Sequence, residues 1–162
     1  MENQISKNIT LQQVIASSVA KSYGIDNTPS QYQYEACKLL AENVIEPLFE
    51  KFGRIGWTSY FRCKKLNSHP KIRGSATSDH QALNGSAVDL DTDVFPGISK
   101  LTNAEIFKYI KENLRFDQLI WEFGSAKEPG WVHVSYRKKD NRNMILISFK
   151  NKLNETKYLS YK

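Results

Sequence analysis

Apolar positions recur along this chain with two periods, and the change from one to the other divides it. Over residues 1–55 the spacing is helical. Leu11, Val14, Ile15 and Val19 make one apolar face, and Cys37, Leu40, Ala41, Val44, Ile45, Leu48 and Phe52 make a longer one. Each run follows a capping box, Thr10-Leu-Gln-Gln13 and Ser30-Gln-Tyr-Gln33, in which the hydroxyl accepts an N–H three residues on and the glutamine reaches back to the cap. Gly24 and Gly53 are the expected stops. Pro47 lies inside the second stripe and lacks the N–H that would bond Asn43, so a bend is expected there. A third box, Thr102-Asn-Ala-Glu105, opens a helix through Ile106 and Ile110 to about Asn113.

From residue 56 the dominant period is two. Segments 56–60, 87–91, 116–122, 131–136 and 144–149 read as strands, and the last three follow one another with no helix between them. That order predicts an antiparallel meander. Residues 63–77 are polar, with Pro70 and Gly74, and read as a surface loop after a short helical turn. The polar tail 151–162 leaves open whether it adds an edge strand. The expectation is an α+β fold in a single domain over 1–162. Its N-terminal helices, within 1–55, flank a central antiparallel sheet and loops within 56–150.

Composition narrows the class. Hydrophobic residues at 40% and charged residues at 25% fit a globular chain rather than a disordered one. The excess of 23 Lys+Arg over 17 Asp+Glu gives +6, which favours anionic partners. No basic run exceeds Arg137-Lys138-Lys139, so nucleic acid is not an expected partner. The N-terminus lacks a secretory signal pattern, and no apolar run reaches the roughly 20 residues of a bilayer span. Cys37 and Cys63 form no metal-type pair and read as free thiols from a reducing compartment. Synthesis in the cytoplasm without membrane insertion is therefore expected.

Alternation also exposes candidate chemistry. Val88 and Leu90 point one way, Ala87, Asp89 and Asp91 the other. Val132 and Val134 likewise oppose Trp131, His133 and Ser135. His80 precedes its strand in a loop that Gly85 can turn sharply. Singly, a strand histidine serves as a hydrogen-bonded structural residue and a strand aspartate as a salt-bridged one. Jointly, two histidines and a carboxylate in otherwise apolar segments match a metal site with one position open. His69, beside Pro70, reads as an exposed loop histidine.

Ser78-x-His80, Gly85, Ala87-x-Asp89 and the distant Trp131-x-His133 resemble the motif of the zinc D-Ala-D-Ala metallopeptidases, a family sharing its fold with the hedgehog signalling domain. Thr58-Ser-Tyr-Phe-Arg62 with Leu66-Asn67, Ile25 to Pro29 with the long helix after it, Asp117 to Gly124, and Asn141-Arg142 extend the resemblance over nearly the whole chain. The resemblance implies Zn²⁺ held by His80, Asp89 and His133, with Arg62 and Ser78 anchoring a substrate carboxylate or carbonyl. It implies a general base shortly before the last ligand, for which Glu122 is first choice and Glu128 second. Trp131 is expected to wall the cleft or, equally, to fill the core. Two departures stand out: Gln81-Ala-Leu-Asn84 lengthens the His-to-Asp spacing by two residues, and Gly130 stands where some relatives carry the catalytic acid.

The implied activity is hydrolysis of peptide bonds in the stem or cross-bridge of bacterial peptidoglycan by an endolysin-like phage protein. A monomer is expected, delivered to the cell wall by a holin-type partner or packaged in a virion. The alternatives are a D-Ala-D-Ala carboxypeptidase and a non-catalytic wall-binding or virion structural module retaining the fold.

Overall fold

A computed structural model describes residues 2–94 and 101–161. A short hairpin, β1 (Gln4–Ser6) and β2 (Ile9–Thr10), leads into α1 (Leu11–Ile15) through the expected Thr10/Gln13 box. The first helix is shorter than its apolar face suggests. Ser17 takes extended backbone and accepts the N–H of Ala20 at 3.2 Å, starting a separate α2 (Ser18–Ser22). A serine hydroxyl competes here with helix continuation. Val14 therefore joins the main core, while Val19 packs on a small cluster of Ala20, Ile25 and Leu66.

The second stripe forms as expected. Helix α3 (Gln31–Leu40) runs through a π-helical turn (Ala41–Ile45) into α4 (Glu46–Phe52), and Tyr34, Cys37, Leu40, Val44, Ile45 and Leu48 are buried. The wide turn directly before Pro47 takes up its missing N–H, so the helix bulges instead of breaking. Gly53, at φ +80°, ends it.

The remaining elements are β3 (Trp57–Ser59), α5 (Lys64–Asn67), β4 (Ser86–Leu90), α6 (Asn103–Asn113), β5 (Gln118–Glu122), β6 (Trp131–Tyr136), β7 (Met144–Lys150) and β8 (Thr156–Ser160). Together the last strands build one six-stranded sheet in the order β3-β4-β6-β5-β7-β8. The fold is α+β in a single domain, and residues from both halves, such as Leu40, Leu48, Val88, Leu119 and Val134, share one core cluster. Both thiols are free.

Four of the sheet's pairings are antiparallel, but β5 and β7 run parallel, which corrects the expected meander. The cause is occupancy. Strand β6 pairs with β4 on one edge and β5 on the other, so the next strand can add only beyond β5. The connection is pinned to the start of β5. Arg142 sets Nε and Nη2 on the buried Asp117 carboxylate at 2.9 and 2.5 Å, and Met144 N–H bonds the Asp117 carbonyl at 3.0 Å. The tail supplies β8, antiparallel to β7 at the sheet's edge.

One sheet face takes α3 and α6 through Val88, Leu90, Leu119, Val132 and Val134. The opposite face carries the polar members of each alternation and forms a cleft. No helix among the described residues is long and apolar enough to cross a membrane.

Candidate metal centre

Antiparallel pairing of β4 with β6 puts Asp89 directly opposite His133. Side chains at such positions stand about 5 Å apart at Cβ and share a face. Asp89 Oδ1 lies 2.8 Å from His133 Nδ1. His80 arrives from a 3₁₀ turn (Asp79–Gln81) before β4, with Nε2 3.1 Å from Asp89 Oδ2. One donor atom from each of the three residues falls within 4.8 Å of the others.

The residues between His80 and β4 are taken up in a turn. Ala82 adopts a left-handed conformation at φ +54°, which swings the chain out through exposed Leu83 and back at Gly85. Gly85 passes so close to β6 that a Cβ would lie 2.6 Å from the Tyr136 carbonyl oxygen. The turn is tied to β3's exit by Arg62 N–H to the His80 carbonyl, 2.9 Å.

Donor chemistry fits a divalent ion. His80 Nδ1 lies 2.6 Å from the Tyr60 carbonyl, which fixes the proton on Nδ1 and leaves Nε2 as the lone-pair donor toward Asp89. His80 and His133 are both buried and Asp89 nearly so. Burial opposes charge on all three. It holds His80 below the ordinary imidazole value despite the pull of Asp89. For His133 it is outweighed by the hydrogen bond and charge of Asp89, which raise that ring. Burial would raise Asp89 too, but the two facing histidines keep its carboxyl well below the usual carboxylate range. Two nitrogens and a carboxylate oxygen make a ligand set suited to a borderline metal, open on the cleft side.

That cleft, about 510 Å³, gathers most of the remaining candidates. Arg62, Ser78, Glu122 and Trp131 all line it. Arg62 Nη2 donates to Ser78 Oγ at 3.4 Å, while its buried Nε has no hydrogen-bond partner among the described residues. Trp131 packs on Phe123 at 5.2 Å between centroids and is a wall, not core. Glu122 faces Trp131 across β5 and β6, and accepts a hydrogen bond from Ser148 Oγ. Burial raises its carboxyl above the ordinary value, and the Ser148 bond works against that rise.

The second-choice base and two further polar residues lie elsewhere. Glu128 turns away from the cleft and accepts the free N–H groups of Asn103 and Ala104 at 2.8 and 3.4 Å, capping α6. Asp91 Oδ1 accepts the Asp93 N–H at 3.0 Å and closes a turn. His69 is half-buried rather than exposed, its ring 4.4 Å from Tyr23.

Sequence reading missed Ser148, Thr156 and Tyr158, of which Thr156 and Tyr158 line the cleft. Ser148 carried a signal, since it alternates with Ile147 and Phe149. The tail carried none, because an exposed edge strand lacks an apolar face to mark its orientation. Comparison with known proteins finds no matching family model, no matching curated protein and no matching solved structure.

Proposed function

We propose that the chain is a zinc-dependent peptidase of the D-Ala-D-Ala metallopeptidase type, acting on the peptides of bacterial peptidoglycan. The observation that carries this reading is one cleft holding a His80-Asp89-His133 donor set, a buried carboxylate at Glu122 and a partly unpaired guanidinium at Arg62. When bound, zinc supplies Lewis-acid chemistry: it polarises a carbonyl and acidifies water. Glu122 takes the proton of the attacking water and returns it to the leaving amine, a role suited to a carboxylate that burial raises above its ordinary value. Arg62, steadied by Ser78, lines the cleft and pairs with a substrate carboxylate. Trp131 walls the substrate. The net charge of +6 suits an anionic wall, where an endolysin-like protein acts after release or virion delivery.

Arg62 also favours a carboxypeptidase form of the same reading, because a guanidinium lining the cleft matches a terminal carboxylate. Mass spectrometry of digested muropeptides separates loss of a terminal residue from a cut within the stem or cross-bridge. Zymography on purified peptidoglycan tests the form that cuts within the stem or cross-bridge, because loss of a terminal residue leaves the network intact. Clearing is expected from the wild type, and loss of clearing on chelation or in His133→Ala. Clearing that survives both contradicts the proposal.

A further inference from the structure

The unassigned feature of the cleft is its far wall. Strand register places Trp131, Glu122, Ser148 and Tyr158 in one row across β6, β5, β7 and β8. Tyr158 therefore lies on the cleft face and lines the same cleft as the metal donors. It is 52% exposed, and its hydroxyl makes no hydrogen bond among the described residues. Burial of its other half, followed by the charges of Glu122 and Asp89, raises the phenol, so it stays a neutral donor across the working range.

Arg62 leaves the sheet at the opposite end, beyond β3. The metal donors of β4 and β6 lie between it and β8. A peptide held by its carboxylate at Arg62 and crossing the donors is thus directed over Glu122 toward Tyr158. From β6 to β8 is three strand spacings, about 14 Å at about 4.8 Å each. An extended chain covers about 3.4 Å per residue, and the tyrosine ring reaches back over part of that distance. Resting on the peptidase reading above, we infer that Tyr158 forms a substrate subsite about two or three residues N-terminal to the scissile bond, stacking on and hydrogen-bonding the extended peptide. The enzyme consequently selects peptides longer than a dipeptide, and the C-terminal strand is part of its specificity.

The test is calorimetric binding to the zinc-loaded Glu122→Gln protein, which holds peptides without turning them over. The probes are a stem pentapeptide ending in D-Ala-D-Ala and the dipeptide D-Ala-D-Ala, which fills only the Arg62 end. The pentapeptide is expected to bind at least fivefold tighter. Adding Tyr158→Ala should abolish that preference without changing dipeptide affinity, and Tyr158→Phe should restore part of it through the ring. Unchanged zinc content and melting temperature establish that the variants fold. A pentapeptide preference that survives Tyr158→Ala overturns the subsite while leaving the peptidase reading intact. Equal weakening of both peptides also overturns it. Binding of neither peptide contradicts the peptidase reading itself, and the subsite falls with it.

Discussion

Asp89 and His133 face each other across two adjacent strands, with Oδ1 and Nδ1 2.8 Å apart, and His80 closes on the other carboxylate oxygen at 3.1 Å. One nearly buried carboxylate thus holds two imidazoles in a fixed relation. Metal binding to such a preformed site stabilises the folded state. At zinc a hundredfold above its dissociation constant the gain is about 2.7 kcal/mol, which thermal denaturation reads as a rise in Tm. The rise should be absent in His80→Ala. An equal rise in both proteins would place the ion elsewhere.

Glu122 is expected to act on the proton and not on the metal. Glu122→Gln should lower turnover by about 10²–10⁴-fold, the usual worth of a positioned acid–base group, while zinc content stays at the wild-type level. Wild-type turnover in this variant would assign the base to another residue.

If Glu122 is the proposed base, Ser148 tunes the pH at which it acts. Burial raises the Glu122 carboxyl, and the Ser148 hydroxyl lowers it by donating to the ionised form. Activity needs that ionised form, so it falls as pH drops through the Glu122 value. Ser148→Ala removes the lowering contact and should move the acid limb of the kcat profile to higher pH. An unmoved limb would mean that Glu122 does not govern it.

Asp117 anchors the parallel strand. Burial alone would raise its carboxyl, but Arg142 and Arg137 bring it below the ordinary 3.8. A depressed folded value means the stabilisation is complete above about 3.8 and is lost as pH falls through the lower folded value. Asp117→Asn should cost about 2 kcal/mol at neutral pH, discounted from a fully buried pair because Arg142 remains partly exposed. Urea denaturation at a series of pH values should show the gap from wild type closing in acid. A constant gap would assign the loss to packing.

Gly85→Ala tests the ligand turn. Its Cβ would meet the Tyr136 carbonyl at 2.6 Å, a backbone atom that cannot swing aside. A loss of about 1–3 kcal/mol is expected from such overpacking, together with weaker zinc binding because His80 rides on the same turn. Normal zinc affinity in a destabilised variant would show that the turn and the site are uncoupled.

Much of this was legible because it is local. Each capping box needs only four consecutive residues, and Thr10, Ser30 and Thr102 all cap helices as read. Alternation put Asp89 and His133 on polar faces, and strand pairing brought them together. The parallel placement of β7 was not legible, since it depends on both edges of β6 being filled by distant strands. Nor was the division at Ser17, where a side-chain cap competes with an apolar face that reads as continuous. Glu122 and Glu128 could not be separated by sequence position alone. Burial beside Ser148 distinguishes the first, and the α6 N-terminus claims the second. The tail's contribution stayed hidden because its aromatic and polar residues face a cleft, leaving no buried stripe to read.

Metal content of the purified, zinc-equilibrated protein tests the central claim most directly. Elemental analysis should find one zinc per chain in the wild type and none retained by Asp89→Ala, the residue that touches both histidines. Equal zinc in the two proteins, or none in either, would contradict a metal centre at His80, Asp89 and His133.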